Sequence, residues 1–154
     1  MRRKDREVTD REEIIEVLEK CKVCRLVFHD NLGTHIVPMS FGYEFKENLT
    51  LYFHGAKSGR RADILLDKST KVWFEIDYND EFIADVEKYF FTVKYGCIIG
   101  EGMSEIVEDA HDKQVALNKI LQHQMNMNTE IPDRILNNVM VFKIDVENFS
   151  CKKN

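Results

Sequence analysis

The sequence lacks a long apolar run, an excess of positive charge and a second pair of closely spaced cysteines. With no apolar stretch of about 18 residues, no membrane-spanning helix is expected. The start, MRRKDREVTD, has none of the apolar centre of a secretory signal. A cytoplasmic chain is therefore expected. Lys and Arg number 22 against 27 Asp and Glu, a formal net charge of −5, which argues against a general nucleic-acid binder. Cysteines occur at 21, 24, 97 and 151. Cys21 and Cys24 form a C-x-x-C, but a zinc centre needs two more ligands at a useful spacing. A redox pair needs to open a helix, where the dipole lowers the thiol pKa, and this pair closes one. Reduced thiols acting as small apolar fillers are expected. No histidine pair has metal-ligand spacing, so no metal is expected. The loops G-x-x-x-x-G-K-[ST] and G-x-G-x-x-G are also missing, which excludes a P-loop and a Rossmann fingerprint.

What remains, 154 residues at 44% hydrophobic, suits one domain over residues 1–154 with its own core. Thr9 with Glu12 three residues on reads as a capping box, followed by Ile14, Ile15, Val17, Leu18 and Cys21 at helical spacing. From Val23 the period shortens. VCRLVFHDNLGTHIVPMSFGYEF holds two β-rich segments with a hairpin turn over His29–Gly33, and Pro38 belongs at an edge or bulge. LTLYFH is a further strand. RRADILLDK is a short helix with Ala62, Leu65 and Leu66 inward, and KVWFEIDY a strand with Val72, Phe74 and Ile76 on one face. The acidic stretch Asp77–Glu81 reads as a solvated loop. KYFFTVKYGCIIGEGMSEIVED makes two long strands or one bent pair. A second amphipathic helix follows, with Val115, Leu117, Ile120 and Leu121 apolar and His111 and His123 solvated. A short helix near Pro132 precedes a last strand, VMVFKIDVENF, alternating Met140, Phe142, Ile144 and Val146. Many strands at hairpin spacing with few helices give an α+β, mainly β class: an antiparallel barrel with peripheral helices.

One stretch stands out against the acidic background. LYFHGAKSGRRADIL gathers Lys57, Arg60 and Arg61 beside Gly55 and Gly59 where a strand yields to a helix. Phosphate sites are built from backbone amides, hydroxyls and Lys or Arg, and glycine lets the backbone approach the anion. The N-terminus of a helix adds its dipole. Composition alone leaves two readings open, an anion site or three cations solvating a loop.

Taken in order, MRRKDREVTD, CRLVFHD, IVPMSFGYEF, LYFHGAKSGRRADIL and VWFEID resemble the flavin-binding split-barrel family related to pyridoxamine 5′-phosphate oxidase. Within it the chain is most similar to the nitroimidazole-resistance (Nim-type) branch, from Met1 to about Glu147. The resemblance implies a six-stranded antiparallel split β-barrel, a homodimer, and FMN in the grooves between subunits. It implies that Pro38, Met39 and Ser40 line the flavin ring. His54, Gly55, Ala56 and Lys57 would follow the ribityl chain and phosphate, Arg60 and Arg61 would complete the anion clamp, and Arg25 would stand near the floor of the groove. His54 is the candidate catalytic residue, because the matching histidine of the branch lies close to the flavin.

The chain departs from the family at two places. The family often has Ser or Thr where Gly55 stands, which removes a phosphate ligand and opens the choice of FAD over FMN. It often has Arg-Ser where Gly96 and Cys97 stand. Two functions follow from the resemblance. One is a flavin-dependent oxidoreductase that takes electrons from NAD(P)H and reduces a small organic acceptor such as a nitro compound. The other is a flavin- or haem-binding carrier or sensor without turnover. The C-terminal Arg- and Trp-containing segment of true pyridoxamine-phosphate oxidases is absent from DVENFSCKKN.

Overall fold

The structure, a computed structural model, describes residues 3–67 and 69–154. After one 3-10 turn the elements are β1 (Glu7–Val8), α1 (Arg11–Lys20), β2 (Val23–Asp30), β3 (Gly33–Ser40), β4 (Gly42–Phe45) and β5 (Leu49–Gly55). They continue with α2 (Arg60–Asp67), β6 (Lys71–Asp85), β7 (Phe90–Ile106), α3 (Ala110–Met125), α4 (Asp133–Leu136) and β8 (Met140–Lys153). No helix among the described residues is long and apolar enough to cross a membrane.

The class is α+β and mainly β, but the strand count differs from six. Among the described residues, eight strands form one antiparallel sheet in the order β3-β2-β6-β7-β8-β5-β4, with β1 added to β8 and the end strands β3 and β4 not paired with each other. The two extra strands are short, and neither carries a readable alternation. Glu7–Val8 has two residues, and β4 separates from β3 only where Phe41 turns inward to full burial. Pro38 lies in β3, at one end of the sheet path, where its missing N–H costs no ladder bond.

The Asp77–Glu81 loop is not observed. β6 runs on to Asp85 and pairs with β7 from Phe90, with a register shift between Asn79 and Glu81. Both faces of this outer arm are exposed, with Phe82 at 87% on one and Phe90 at 54% on the other. With no core beneath it, the arm has no inward face for the sequence to mark, and its charges alone look like loop. Phe90 is likewise exposed, whereas Phe74 is buried.

The core lies inside the curled sheet, where Leu26, Phe28, Leu51, Phe53, Val72, Ile76, Ile98, Phe142 and Ile144 are fully buried. Phe53 and Phe142 stack with ring centroids 5.2 Å apart. Helix α1 adds Ile14, Val17 and Leu18. Its cap is Asp10, not Thr9: the Asp10 carboxylate accepts from the amides of Glu12 and Glu13 at 3.0 and 3.1 Å. A carboxylate caps at least as well as a hydroxyl and also meets the positive helix end.

Helix α3 packs on β4 and β5 and buries Ala116, Leu117, Ile120 and His123, while Val115 is 41% exposed. His123 is thus not solvated. Its Nε2 lies 2.8 Å from the Cys21 carbonyl, which can only accept, so Nε2 carries the hydrogen. Phe41 flanks its ring at 4.7 Å, and burial pulls its pKa down. In α2, Ala62 and Leu65 face inward but Leu66 is exposed.

Candidate functional site

The strand-to-helix turn predicted from the sequence joins β5 to α2. Ala56, Lys57, Ser58 and Gly59 form an exposed turn, and Gly59 has φ +96°, a left-handed conformation that glycine adopts without strain. The first helical bond runs from the Asp63 amide to the Gly59 carbonyl at 3.0 Å. The amides of residues 60–62 therefore lie at the free N-terminal end of a two-turn helix, with its positive dipole.

The three cations of this turn are held in three different ways. Arg60 donates through Nε and Nη2 to the Asp30 carboxylate at 3.0 and 2.6 Å, and through Nη2 to the Gly33 carbonyl at 2.7 Å. The Arg60 hydrogen bond holds the Asp30 pKa down to about 2. Arg60 thus ties the start of α2 to the β2–β3 turn. Lys57 is exposed and donates to the Asn137 carbonyl, next to α4.

Arg61 is half-buried, and no carboxylate among the described residues pairs with it. Its Nη2 donates to the Ala56 carbonyl at 2.6 Å, Nη1 lies 3.6 Å from the Met39 sulfur, and the guanidinium sits 5.7 Å from the Phe142 ring centroid. Its Nε is buried without a hydrogen-bond partner among the described residues. Burial pulls the Arg61 pKa below the usual guanidinium value. An uncompensated, partly desolvated cation is costly.

Gly55 belongs to the same arrangement. A Cβ on Gly55 would collide with the Arg61 guanidinium. A Ser or Thr at position 55 would occupy the space that Arg61 fills here. At the other departure, a Cβ on Gly96 would strike the Tyr78 ring and come to 3.0 Å from a Val17 methyl, so glycine there lets α1 close on the sheet. Cys97 sits with its thiol 3.9 Å from Glu75.

Strand alternation divides the remaining predicted residues. Arg25 pairs in register with Pro38 and with Glu75, so these share the outer face of the sheet. There Arg25 donates to Asp77 at 2.5 Å and Glu75 at 2.9 Å, and these hydrogen bonds raise its pKa. Ser40 shares that face, two residues beyond Pro38. Met39 points the other way, toward the core and Arg61. On β5, Gly55 pairs with Met140 and His54 with Val141, so His54 and Gly55 face opposite sides of the sheet. His54 is exposed beside α3, and its pKa is lowered by burial first and by the Arg61 charge second.

The structure thus joins Met39, Gly55, Ala56 and Arg61, keeps Arg60 and Lys57 at the rim, sets Arg25, Pro38 and Ser40 on the outer face, and sets His54 behind β5. Asp30, Phe142 and Asn137 complete the arrangement and were not foreseen. Only Asp30 carried a local signal, an acid at a hairpin turn. The other two reach the site through chain pairings more than 80 positions away, or through a carbonyl that any residue could supply.

The thiols offer no nucleophile. Burial raises the pKa of Cys21 to about 12, of Cys97 and Cys151 to about 11, and of Cys24 well above its usual value. No group of three or more His, Cys, Asp or Glu among the described residues is placed to hold a metal.

A family model described as pyridoxamine 5′-phosphate oxidase matches residues 10–153. No curated protein matches. Among solved structures, a candidate 5-nitroimidazole antibiotic resistance protein from Bacteroides thetaiotaomicron is 24% identical with TM-score 0.82, over 96% of this chain and 86% of that one. A flavocytochrome from Azotobacter vinelandii is 16% identical with TM-score 0.77, over 100% of this chain and 72% of that one. A FAD-binding protein from Mesorhizobium loti is 15% identical with TM-score 0.64, over 97% of each chain. At these identities the likeness establishes the fold.

Proposed function

The chain belongs to the pyridoxamine 5′-phosphate oxidase family, and from that premise we propose that it seats the phosphate of a flavin at the β5–α2 turn and serves as a flavin-dependent oxidoreductase. The observation that carries this reading is Arg61: a half-buried cation with no carboxylate partner and an orphaned Nε among the described residues, lodged where Gly55 leaves room for it. Arg61 donates to the phosphate, the free amides of residues 60–62 and the α2 dipole add to it, and the exposed Lys57 swings in as a second charge. Arg60 keeps the helix start in place through Asp30 and the Gly33 carbonyl. When bound, a flavin supplies two-electron transfer from a nicotinamide cofactor to a small organic acceptor. FMN, ending in a dianion, suits a seat with two available cations. Relatives described as FAD-binding support the adenylated form as the other candidate.

The outer sheet face supports a homodimer. Register aligns Ile36, Val27 and Trp73 in one row across β3, β2 and β6, with Ile36 at 61% and Trp73 at 43% exposure. A second copy covers this row and lies beside Pro38, Ser40 and Arg25. His54, whose pKa is lowered by burial and by the Arg61 charge, offers a hydrogen bond to the acceptor.

The test is to release and identify the small molecule that co-purifies, and to follow the flavin colour on adding NADH or NADPH without oxygen. A yellow protein with one flavin per chain, bleached by a nicotinamide, is expected. A yellow protein reduced only by dithionite would be a carrier, and a chain that takes up neither FMN nor FAD would overturn the reading.

A further inference from the structure

Behind β5, on the face away from Arg61, His54 borders a cavity of about 240 Å³ whose other lining residues are Leu117, Ile120, Leu121, Ile131, Ile135 and Val139. Helix α3 supplies three of these, and α4 with the segments on either side of it supplies the rest. Each of four larger surface cavities, of 320 to 580 Å³, carries at least one Lys, Asp or Glu in its lining; this one carries none. Among the described residues its only polar lining side chain is the imidazole of His54, at the strand end one residue before the Gly55 turn.

From this juxtaposition we infer that the cavity between β5, α3 and α4 binds a small uncharged ring compound with one hydrogen-bonding substituent, the ring lying on Leu117, Leu121, Ile135 and Val139 and the substituent meeting His54. An apolar cavity of about 150 Å³ stays dry and holds benzene, so this one has room for one ring and a few further atoms. A charged ligand would lose its hydration against aliphatic walls with no opposite charge in the lining to replace it. One imidazole gives one directional contact, which selects among rings of equal size. The inference goes beyond the proposed function: the cavity lies on the face of β5 away from the Arg61 seat, and binding there does not depend on that seat.

The experiment reads binding alone. The full chain, as purified with any flavin it carries, is labelled at Ile, Leu and Val methyl groups and titrated separately with benzene, phenol and benzoate. Saturable shifts are expected at Leu117, Leu121, Ile131, Ile135 and Val139, with Leu51 and Ile144 in the core unmoved. His54→Leu should weaken phenol about three- to tenfold and leave benzene unchanged, the worth of one net hydrogen bond. Ile135→Trp should abolish both; Ile135 is 42% exposed, so a larger side chain fills the mouth without disturbing the core. Unmoved Leu51 and Ile144 methyls certify the fold of each variant. Absence of saturable shifts with benzene and phenol, benzoate binding as tightly as phenol, or full binding in Ile135→Trp would each overturn the inference. Flavin content of the same samples, read from visible absorbance, tests the Arg61 seat separately, so either can fail while the other stands.

Discussion

Two regions of the sheet hold arginine and treat it in opposite ways. On the outer face Arg25 meets Asp77 and Glu75 at 2.5 and 2.9 Å, in a side chain still 47% exposed. At the end of β5, Arg61 is half-buried and meets a carbonyl, a sulfur and an aromatic face, but no carboxylate among the described residues. The first cation is complete within the chain. The second carries a desolvation cost that its neighbours do not recover. Arg60, adjacent in sequence to Arg61, belongs with Arg25, because Asp30 neutralises it. A run of basic residues therefore does not by itself mark an anion site; an arginine left without its counter-charge does.

The sharpest way to break this contrast is to remove each cation and measure flavin. Arg61→Ala should weaken FMN or FAD about ten- to a hundredfold, the range of a charge-assisted hydrogen bond. Arg25→Ala should leave it within about twofold. Flavin fluorescence titration reads both, and equal losses would erase the distinction. Melting of the flavin-free chain adds a sign: Arg61→Ala should not lower its stability, since the substitution removes an unpaired cation. A second, smaller effect is expected from Gly55→Val. The added side chain collides with the guanidinium, which is the free end of a flexible residue and swings away, so affinity should fall about five- to tenfold while the fold is kept.

The sequence located this turn because its signals are local: glycines, cations and a strand-to-helix change within a dozen residues. The distinction among its cations was not legible, because it depends on Asp30, some thirty positions away, and on Met39 and Phe142 across the sheet. The same limit explains the other differences. Val72, Phe74 and Ile76 could be read because one strand face meets the core. The arm at 79–95 meets none, so its first strand carries only charge to read and Asp77–Glu81 looks like loop, whereas its return strand from Phe90 is legible from its β-rich composition. His123 is a polar residue on the buried face of α3, where composition points to solvent and only the packing of Phe41 and the Cys21 carbonyl reveals burial. Motif order implied that Pro38, Met39 and Ser40 act together; strand alternation separates Met39 from its two neighbours.

Acid titration gives the third comparison, between the neutralised Arg60 and its free neighbour. The Arg60 hydrogen bond holds the Asp30 pKa at about 2 in the folded chain, against about 3.9 when unfolded. The unfolded chain therefore binds this proton first as pH falls. The pair's contribution is complete above about pH 4 and is lost as pH drops toward 2. Asp30→Asn lacks that contribution at every pH, so its melting temperature should lie below that of the parent at pH 5 and converge with it near pH 2. Flavin affinity should change less than about threefold, because Arg60 keeps its bond to the Gly33 carbonyl. A gap that stays constant from pH 5 to 2 would mean that the pair does not hold the helix start.

The smallest effect belongs to the outer face. Arg25 is exposed and its ion pairs lie in water, where such pairs contribute little and salt screens them. Arg25→Ala should shift the melting temperature by no more than about 2 °C, and by less in high salt. The result bears on assembly as well as on the pair. Arg25 adjoins the Ile36–Val27–Trp73 row, which a second copy is proposed to cover. If that copy also covers Arg25, its ion pairs leave water, and removing the arginine strands two carboxylates in an interface. A shift well above 2 °C that grows with protein concentration and resists salt would then move Arg25 out of the class of exposed cations, and would place the subunit boundary across Glu75 and Asp77.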